Sequence, residues 1–300
     1  MRLPVPPACL ALLMSVLVAC AAEATPYLLE GSVRGGVAGP LLADGTTVLA
    51  LGEDGVRRID PATRATLATY PIATQLYWPR ALAADETTVV GAGLFYDGDV
   101  SHGVAYVLNA TDATLRFTLE SPTPAPGDYF GASLALVDGE LLVGASGEGR
   151  VYRFDAGTGA PRGTIDNPSD APGWFGGALA VTATEIWIGD VTAGVVHRFD
   201  RATTALLGTI DGGARFGASL RTIPAGVLIG SPGTAAAVHL YDPATAAPLR
   251  TFANPGPYAI DAFGNATDGD ANVVVVGDAA YGAGPIPAEP DEVQPSIGIA

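Results

Sequence analysis

The amino-acid sequence predicts an all-β chain, a β-propeller of four-stranded antiparallel blades, on three observations. A Phe-Gly pair recurs at Phe130-Gly131, Phe175-Gly176, Phe216-Gly217 and Phe263-Gly264, with spacings of 45, 41 and 47 residues. In each copy a glycine closes an apolar run 14 residues after the phenylalanine, at Gly144, Gly189, Gly230 and Gly277. Period-two alternation then follows in VYRFD (151–155), VHRFD (196–200) and VHLYD (238–242), and no amphipathic helical pattern intervenes. Four short strands per repeat of about 40 to 50 residues is the period of a propeller blade, whereas a helical solenoid would need amphipathic helices.

The N-terminus reads as an export leader. Met1 and Arg2 give a minimal basic start, and Cys9 to Val18 is an apolar run too short to span a membrane. The run ends in Leu17-Val18-Ala19-Cys20, which resembles the lipobox of bacterial lipoproteins. That resemblance implies lipid on Cys20, with residues 1–19 as signal peptide, 20–25 as a lipid-anchored linker and 26–300 as one domain. The place it implies is the bacterial cell envelope, at the outer membrane, with lipid as the only hold on the membrane. Cleavage near Ala22 or Ala24, leaving a secreted protein, is the alternative. Cys9 and Cys20 are the two cysteines of the chain, so no disulfide is expected to staple the domain.

Two degenerate copies precede the four clear ones. The first runs around Gly39 to Leu42 with Gly52 after VLAL; the second has Trp78-Pro79 in the Phe-Gly place and Gly91 after TVV. Starts at Ala38, Trp78, Phe130, Phe175, Phe216 and Phe263 predict six blades, with seven as the alternative. PYLLEGS (26–32) resembles the fourth-strand segments TLATYP and RTFANP, so strands from both termini are expected to complete one blade and close the ring. Asp60, Asn109, Asp155, Asp200 and Asp242 end the alternating segments just before small-residue turns. There an Asx side chain can bond the backbone two residues on. Residues 284–296, GPIPAEPDEVQPS, form an acidic proline-rich loop or tail.

The order of Phe-Gly, apolar hairpin ending in Gly-Ala, then a Tyr-x-Phe-Asp strand is best displayed by YFGASLALVDGELLVGASGEGRVYRFD (129–155). It resembles the FG-GAP repeat of the integrin α-subunit head, in its short bacterial form, from about Ala38 to Gly277. The resemblance implies a propeller, seven-bladed in integrin heads, and calcium in the first hairpin of a blade. Asp268, Asp270 and Asn272 have the alternate spacing of a calcium loop, but Val273 and Ala279 fall where the loop requires Gly and a bidentate Glu. VDGE (137–140) is too short for such a loop. No cofactor is therefore expected, with those three residues the one candidate for calcium.

Charge narrows the function. The chain has 31 acidic and 15 basic residues, net −16, and every basic residue is arginine. Such a surface repels phosphate backbones, so no nucleic-acid partner is expected. Of three histidines, His197 and His239 occupy the repeat position of Tyr152. Neither G-x-S-x-G nor a phosphate-binding glycine loop is present, and a histidine-based hydrolase has no support.

In a four-stranded meander the loops joining strands two and three lie at the same end as the blade-to-blade linkers. That end gathers the long excursion GLFYDGDVSHG (93–103) and the linkers SPTPAPGDY (121–129) and NPSDAPGW (167–174). Tyr77, Tyr96, Asp97, Asp99, His102, Tyr129 and Trp174 form the candidate binding face, since exposed aromatics suit recognition. Packing of blade against blade is the structural alternative for the rings. The expected function is non-catalytic binding or scaffolding toward a protein or glycan. An enzyme acting on a carbohydrate through acidic residues of the same face is the alternative.

Overall fold

The computed structural model describes residues 16–18, 27–29, 40–43, 46–72, 76–97, 100–169, 173–254, 262–269 and 274–277. Cys20, Ala38, Asp99, Asp270, Asn272 and the segment 284–296 lie outside them.

Every regular element among these residues is a strand. β1 (Val16–Val18) pairs antiparallel with β2 (Tyr27–Leu29). The first four-stranded sheet is β3 (Leu41–Ala43), β4 (Val48–Gly52), β5 (Gly55–Ile59) and β6 (Thr66–Pro71). The second holds β7 (Trp78–Ala84), β8 (Thr88–Asp97), β9 (Val100–Asn109) and β10 (Leu115–Glu120). The third holds β11 (Phe130–Val137), β12 (Glu140–Ala145), β13 (Arg150–Asp155) and β14 (Pro161–Asp166). The fourth holds β15 (Phe175–Val181), β16 (Glu185–Asp190), β17 (Val195–Asp200) and β18 (Leu206–Asp211). The fifth holds β19 (Ser219–Ile223), β20 (Gly226–Ser231), β21 (Ala237–Tyr241) and β22 (Pro248–Ala253). β23 (Ala266–Gly269) and β24 (Val274–Gly277) form a two-stranded sheet at the sixth repeat.

Each four-stranded sheet is a meander whose neighbours follow chain order, all antiparallel. First strands pack on first strands in succession: β3 on β7, β7 on β11, β11 on β15, β15 on β19 and β19 on β23. That is the radial stacking of propeller blades. β2 falls in the segment whose sequence matches a fourth strand. It pairs with β1, which lies in the stretch read as the leader, and β1 runs beside β24.

The constant 14-residue interval has a physical cause. The glycine of each Phe-Gly pair sits at positive φ (Gly131 84°, Gly176 85°, Gly217 84°, Gly264 91°), where a side chain would be strained. That backbone twist turns its carbonyl onto the strand-closing glycine of the preceding blade. A Cβ at Gly144 would stand 2.0 Å from the oxygen of Gly176, one at Gly189 2.2 Å from that of Gly217, and one at Gly230 1.9 Å from that of Gly264. Ser133 Oγ donates to the Gly176 oxygen at 2.6 Å, and Ser219 Oγ to that of Gly264 at 2.7 Å. Both glycines of a repeat thus belong to inter-blade joints.

The partner phenylalanines are core. Phe130, Phe175, Phe216 and Phe263 are at most 3% exposed, and burial of such a ring contributes about 1.5–3 kcal/mol. Phe130, Phe175 and Phe216 meet Phe154, Phe199 and Tyr241 of their own third strands edge-on, at centroid distances of 6.2, 6.1 and 6.2 Å. The apolar clusters each draw on two consecutive sheets, so packing between blades carries the core.

The Asx turns form at four of the five expected places. Asp60 Oδ1 accepts from Ala62 N at 2.8 Å, Asp155 from Gly157 N at 3.0 Å and Asp242 from Ala244 N at 2.8 Å; Asp200 accepts from Thr203 N at 2.7 Å. In the second blade Asn109 instead accepts from Thr111 Oγ1, and Asp112 caps the turn by accepting from Thr114 N at 3.0 Å.

Candidate functional site

The loops between second and third strands and the blade linkers do share one end. Gly147 N donates to Asp128 O at 3.0 Å, Asn167 N to Gly149 O at 2.9 Å, and Asn167 Nδ2 to Asp190 Oδ2 at 3.1 Å. Their carboxylates are spent on holding the loops. Glu148 accepts from Ser121 Oγ (2.5 Å), Thr123 Oγ1 (3.0 Å) and Tyr152 Oη (2.6 Å). Asp190, 1% exposed, accepts from Ala193 N and Asn167, and Asp128 accepts from Phe130 N at 3.1 Å.

These bonds place the aromatic residues that precede the first strands of the third and fourth blades, Tyr129 and Trp174. Tyr129 follows Asp128 in a left-handed conformation (φ 51°), unusual for a residue with a side chain, and its carbonyl accepts from Ala132 N at 3.0 Å. Trp174 sits in the same turn one blade on, its carbonyl accepting from Gly177 N at 3.0 Å. The two rings stack at 5.3 Å between centroids and 23° between planes. The Arg80 guanidinium lies 5.0 Å from the Tyr129 ring centroid. Second, third and fourth blades thus contribute one member each to a cation–ring–ring array.

Arg80 is half-buried, with Nε lacking a hydrogen-bond partner, and burial pushes its guanidinium below the usual arginine value. No carboxylate pairs with it among the described residues. Arg215 takes the place of Tyr129 and Trp174 in the fifth blade. It too has positive φ (61°), is exposed, and has no carboxylate partner among the described residues.

Of the sequence-predicted face, Tyr129 and Trp174 are brought together, and Trp174 remains 43% exposed. Tyr77 stands on the second blade, 54% exposed beside exposed Trp78, with Tyr77 N donating to Leu94 O at 2.9 Å. His102 lies in β9 with its ring 5.4 Å from that of Phe95, on the hairpin that carries Tyr96 and Asp97 in β8. Behind it Gly103 abuts Phe130 so closely that a Cβ would fall 2.2 Å from the Phe130 oxygen, seating this hairpin against the third blade. Sequence reasoning missed Arg80, Arg215 and Trp78; the signal for Arg215 was its place immediately before Phe216.

His197 and His239 are strand residues, as their repeat position predicts. Their Nδ1 atoms share hydrogen bonds with Thr209 (2.9 Å) and Thr251 (3.1 Å) of the adjacent fourth strands. Burial holds both imidazoles below the usual histidine value.

Of the three calcium candidates, Asp268 lies among the described residues. Asp268 accepts from Arg221 Nε at 2.9 Å, and Asp138, in the first hairpin of the third blade, is ion-paired to Arg201 at 2.8 Å. A cation there would have to displace a guanidinium. No group of three or more His, Cys, Asp or Glu is arranged to hold a metal among the described residues.

No family model matches the chain, and a comparison with curated proteins finds none that matches. Among solved structures the chain is similar to a computationally designed protein, Ika8. The TM-score is 0.59 at 17% identity, covering 89% of this chain and 88% of that one. At that identity the likeness bears on the fold alone.

Proposed function

We propose that the chain is an exported, lipid-anchored, non-catalytic recognition or scaffolding module that binds a protein or glycan through the end of its blades carrying the aromatic stack. The observation behind this is Trp174, 43% exposed although stacked on Tyr129 and, through it, on Arg80. Rings already fixed by one another lose little conformational freedom on binding, which makes them efficient contact points. The carboxylates of the same end are engaged in loop hydrogen bonds, which favours recognition over acid–base chemistry. The Leu17-to-Cys20 pattern supports the lipid anchor, and the Phe-Gly repeat supports kinship with FG-GAP propellers.

The test is saturable binding of the purified protein to immobilised envelope polysaccharides and to envelope proteins, compared with Trp174→Ala. The expected result is one class bound and a loss of about tenfold or more in the variant. Undiminished binding by the variant, or saturable binding to neither class, overturns the reading. Turnover of a bound glycan would replace it with the enzymatic alternative. Protease shaving of intact cells, with a periplasmic control, decides which side of the outer membrane the face serves.

A further inference from the structure

Among the described residues, the large apolar side chains exposed at the recognition end are all aromatic: Tyr77, Trp78 and Trp174. The exposed leucines, Leu67, Leu115, Leu206, Leu207 and Leu249, stand at the opposite end, where fourth strands begin. A hot spot for a protein partner is ringed by contacts that exclude water, and no large aliphatic side chain is exposed here to supply them. A sugar asks for less. One face of a pyranose is a sheet of weakly positive C–H groups, which fits the electron-rich face of an indole. Trp174 has that face to offer, since Tyr129 is the one ring stacked on it among the described residues and 43% of the residue stays exposed.

Charge narrows the sugar. Following the blades in order, the array begins at Arg80 in the second, passes through Tyr129 and Trp174, and has Arg215 at the next repeat position in the fifth. Neither arginine is paired with a described carboxylate, in a chain with 31 acidic residues. The acids of the adjoining loops are already committed. Asp128 and Asp190 are 3% and 1% exposed, Glu148 accepts from three hydroxyls, Asp166 is paired to Arg150 at 2.5 Å, and Asp211 accepts from Gly213 N at 3.1 Å. An anion at this end therefore meets unneutralised guanidinium, while the acidic remainder of the surface is screened beyond about 8 Å at physiological salt.

We propose that this face binds an acidic polysaccharide, a chain of pyranose uronates, with one sugar ring laid on the open face of Trp174 and its carboxylate paired to Arg215. A uronate bears its carboxylate on a ring carbon, so a stacked ring projects that group sideways, toward a cation on the neighbouring blade. Arginine suits it because its fork of donors matches a carboxylate. Arg80 adds positive potential from the other end of the array. This rests on the reading of that face as the recognition surface and gives that surface its ligand class.

The experiment measures binding of the full chain to immobilised oligomers of galacturonate, glucuronate and mannuronate, to the same oligomers with their carboxyls reduced to alcohols, and to polyglutamate. The expected result is saturable binding of at least one uronate, weakened about tenfold or more by reduction of its carboxyls. Arg215→Gln is expected to bind the acidic and reduced oligomers alike while keeping its urea midpoint, because Arg215 is exposed. Binding of none of the uronates, equal binding of the reduced oligomers or of polyglutamate, or an undiminished preference in Arg215→Gln overturns the proposal. Trp174→Ala separates this outcome from failure of the recognition reading. A protein or neutral glycan that is bound by the unaltered chain and lost in that variant keeps the reading and sinks the uronate, whereas a uronate bound equally by the variant sinks both.

Discussion

A methyl group at Gly144 would have to share space with the carbonyl oxygen of Gly176, 2.0 Å from the site of its Cβ, and backbone on both sides cannot yield cheaply. Gly144→Ala is therefore expected to cost about 2 kcal/mol or more, read as a lowered urea midpoint. Gly208→Ala is the control: a Cβ there meets nothing within 4 Å, and the midpoint should hold or rise slightly. These glycines were legible in the sequence as a fixed interval, but their reason was not. The interval counts residues within one repeat, while the contact it protects lies between two. Arg80 was missed for the same cause. An arginine in the strand WPRALAA reads as a solvated side chain, and only the seating of the second blade against the third reveals that it lies over Tyr129. Tyr129 and Trp174 could be found because they share a repeat position.

At the level of the strand pair, β16 and β17 hold a charged couple out of water. Arg198 donates through Nε to Glu185 Oε2 at 2.8 Å and through Nη2 to Oε1 at 2.5 Å, with side chains 14% and 9% exposed. The guanidinium also lies over the Trp187 ring at 5.1 Å. In the fifth blade the same two strand positions carry Gly226 and Leu240, so the architecture accepts an uncharged pair. Removing one partner strands the other. Arg198→Leu alone is expected to cost about 3 kcal/mol, whereas combining it with Glu185→Leu should recover most of that loss, as urea unfolding of the three proteins would show. Strand existence and type were readable from alternation. The ion pair was not, because Glu185 and Arg198 are diagonal neighbours whose closeness depends on register, with Glu185 opposite Asp200.

For the molecule as a whole, stability is expected to fall in two stages as pH is lowered. His197 and His239 sit in neighbouring blades, each held by burial below the ordinary histidine value of 6.5. Between that value and their lowered folded values the unfolded chain binds protons that the folded chain does not, so stability declines as pH drops below about 6.5. Asp60, Asp112, Asp155 and Asp200 are held below the ordinary aspartate value of 3.8, chiefly by threonine hydroxyls in the turns, and their contribution disappears as pH falls through the acid range below it. Urea midpoints measured against pH should show both limbs, and His197→Asn with His239→Asn should remove the upper one. The repeat count was legible because five copies have a Phe-Gly or Trp-Pro start and the first keeps the strand-closing glycine, Gly52, after VLAL; sheet neighbours across copies had to come from the fold. The glycine-to-carbonyl joint carries one more implication. The fourth and fifth repeats each bear both halves of it, a socket on the second strand (Gly189, Gly230) for the blade that follows and a plug at the first strand (Gly176, Gly217) for the blade before. A tandem duplication of either of these repeats, in frame, would bring a complete coupling with it at either junction. A gene encoding such a chain can gain or lose a blade without inventing a new interface.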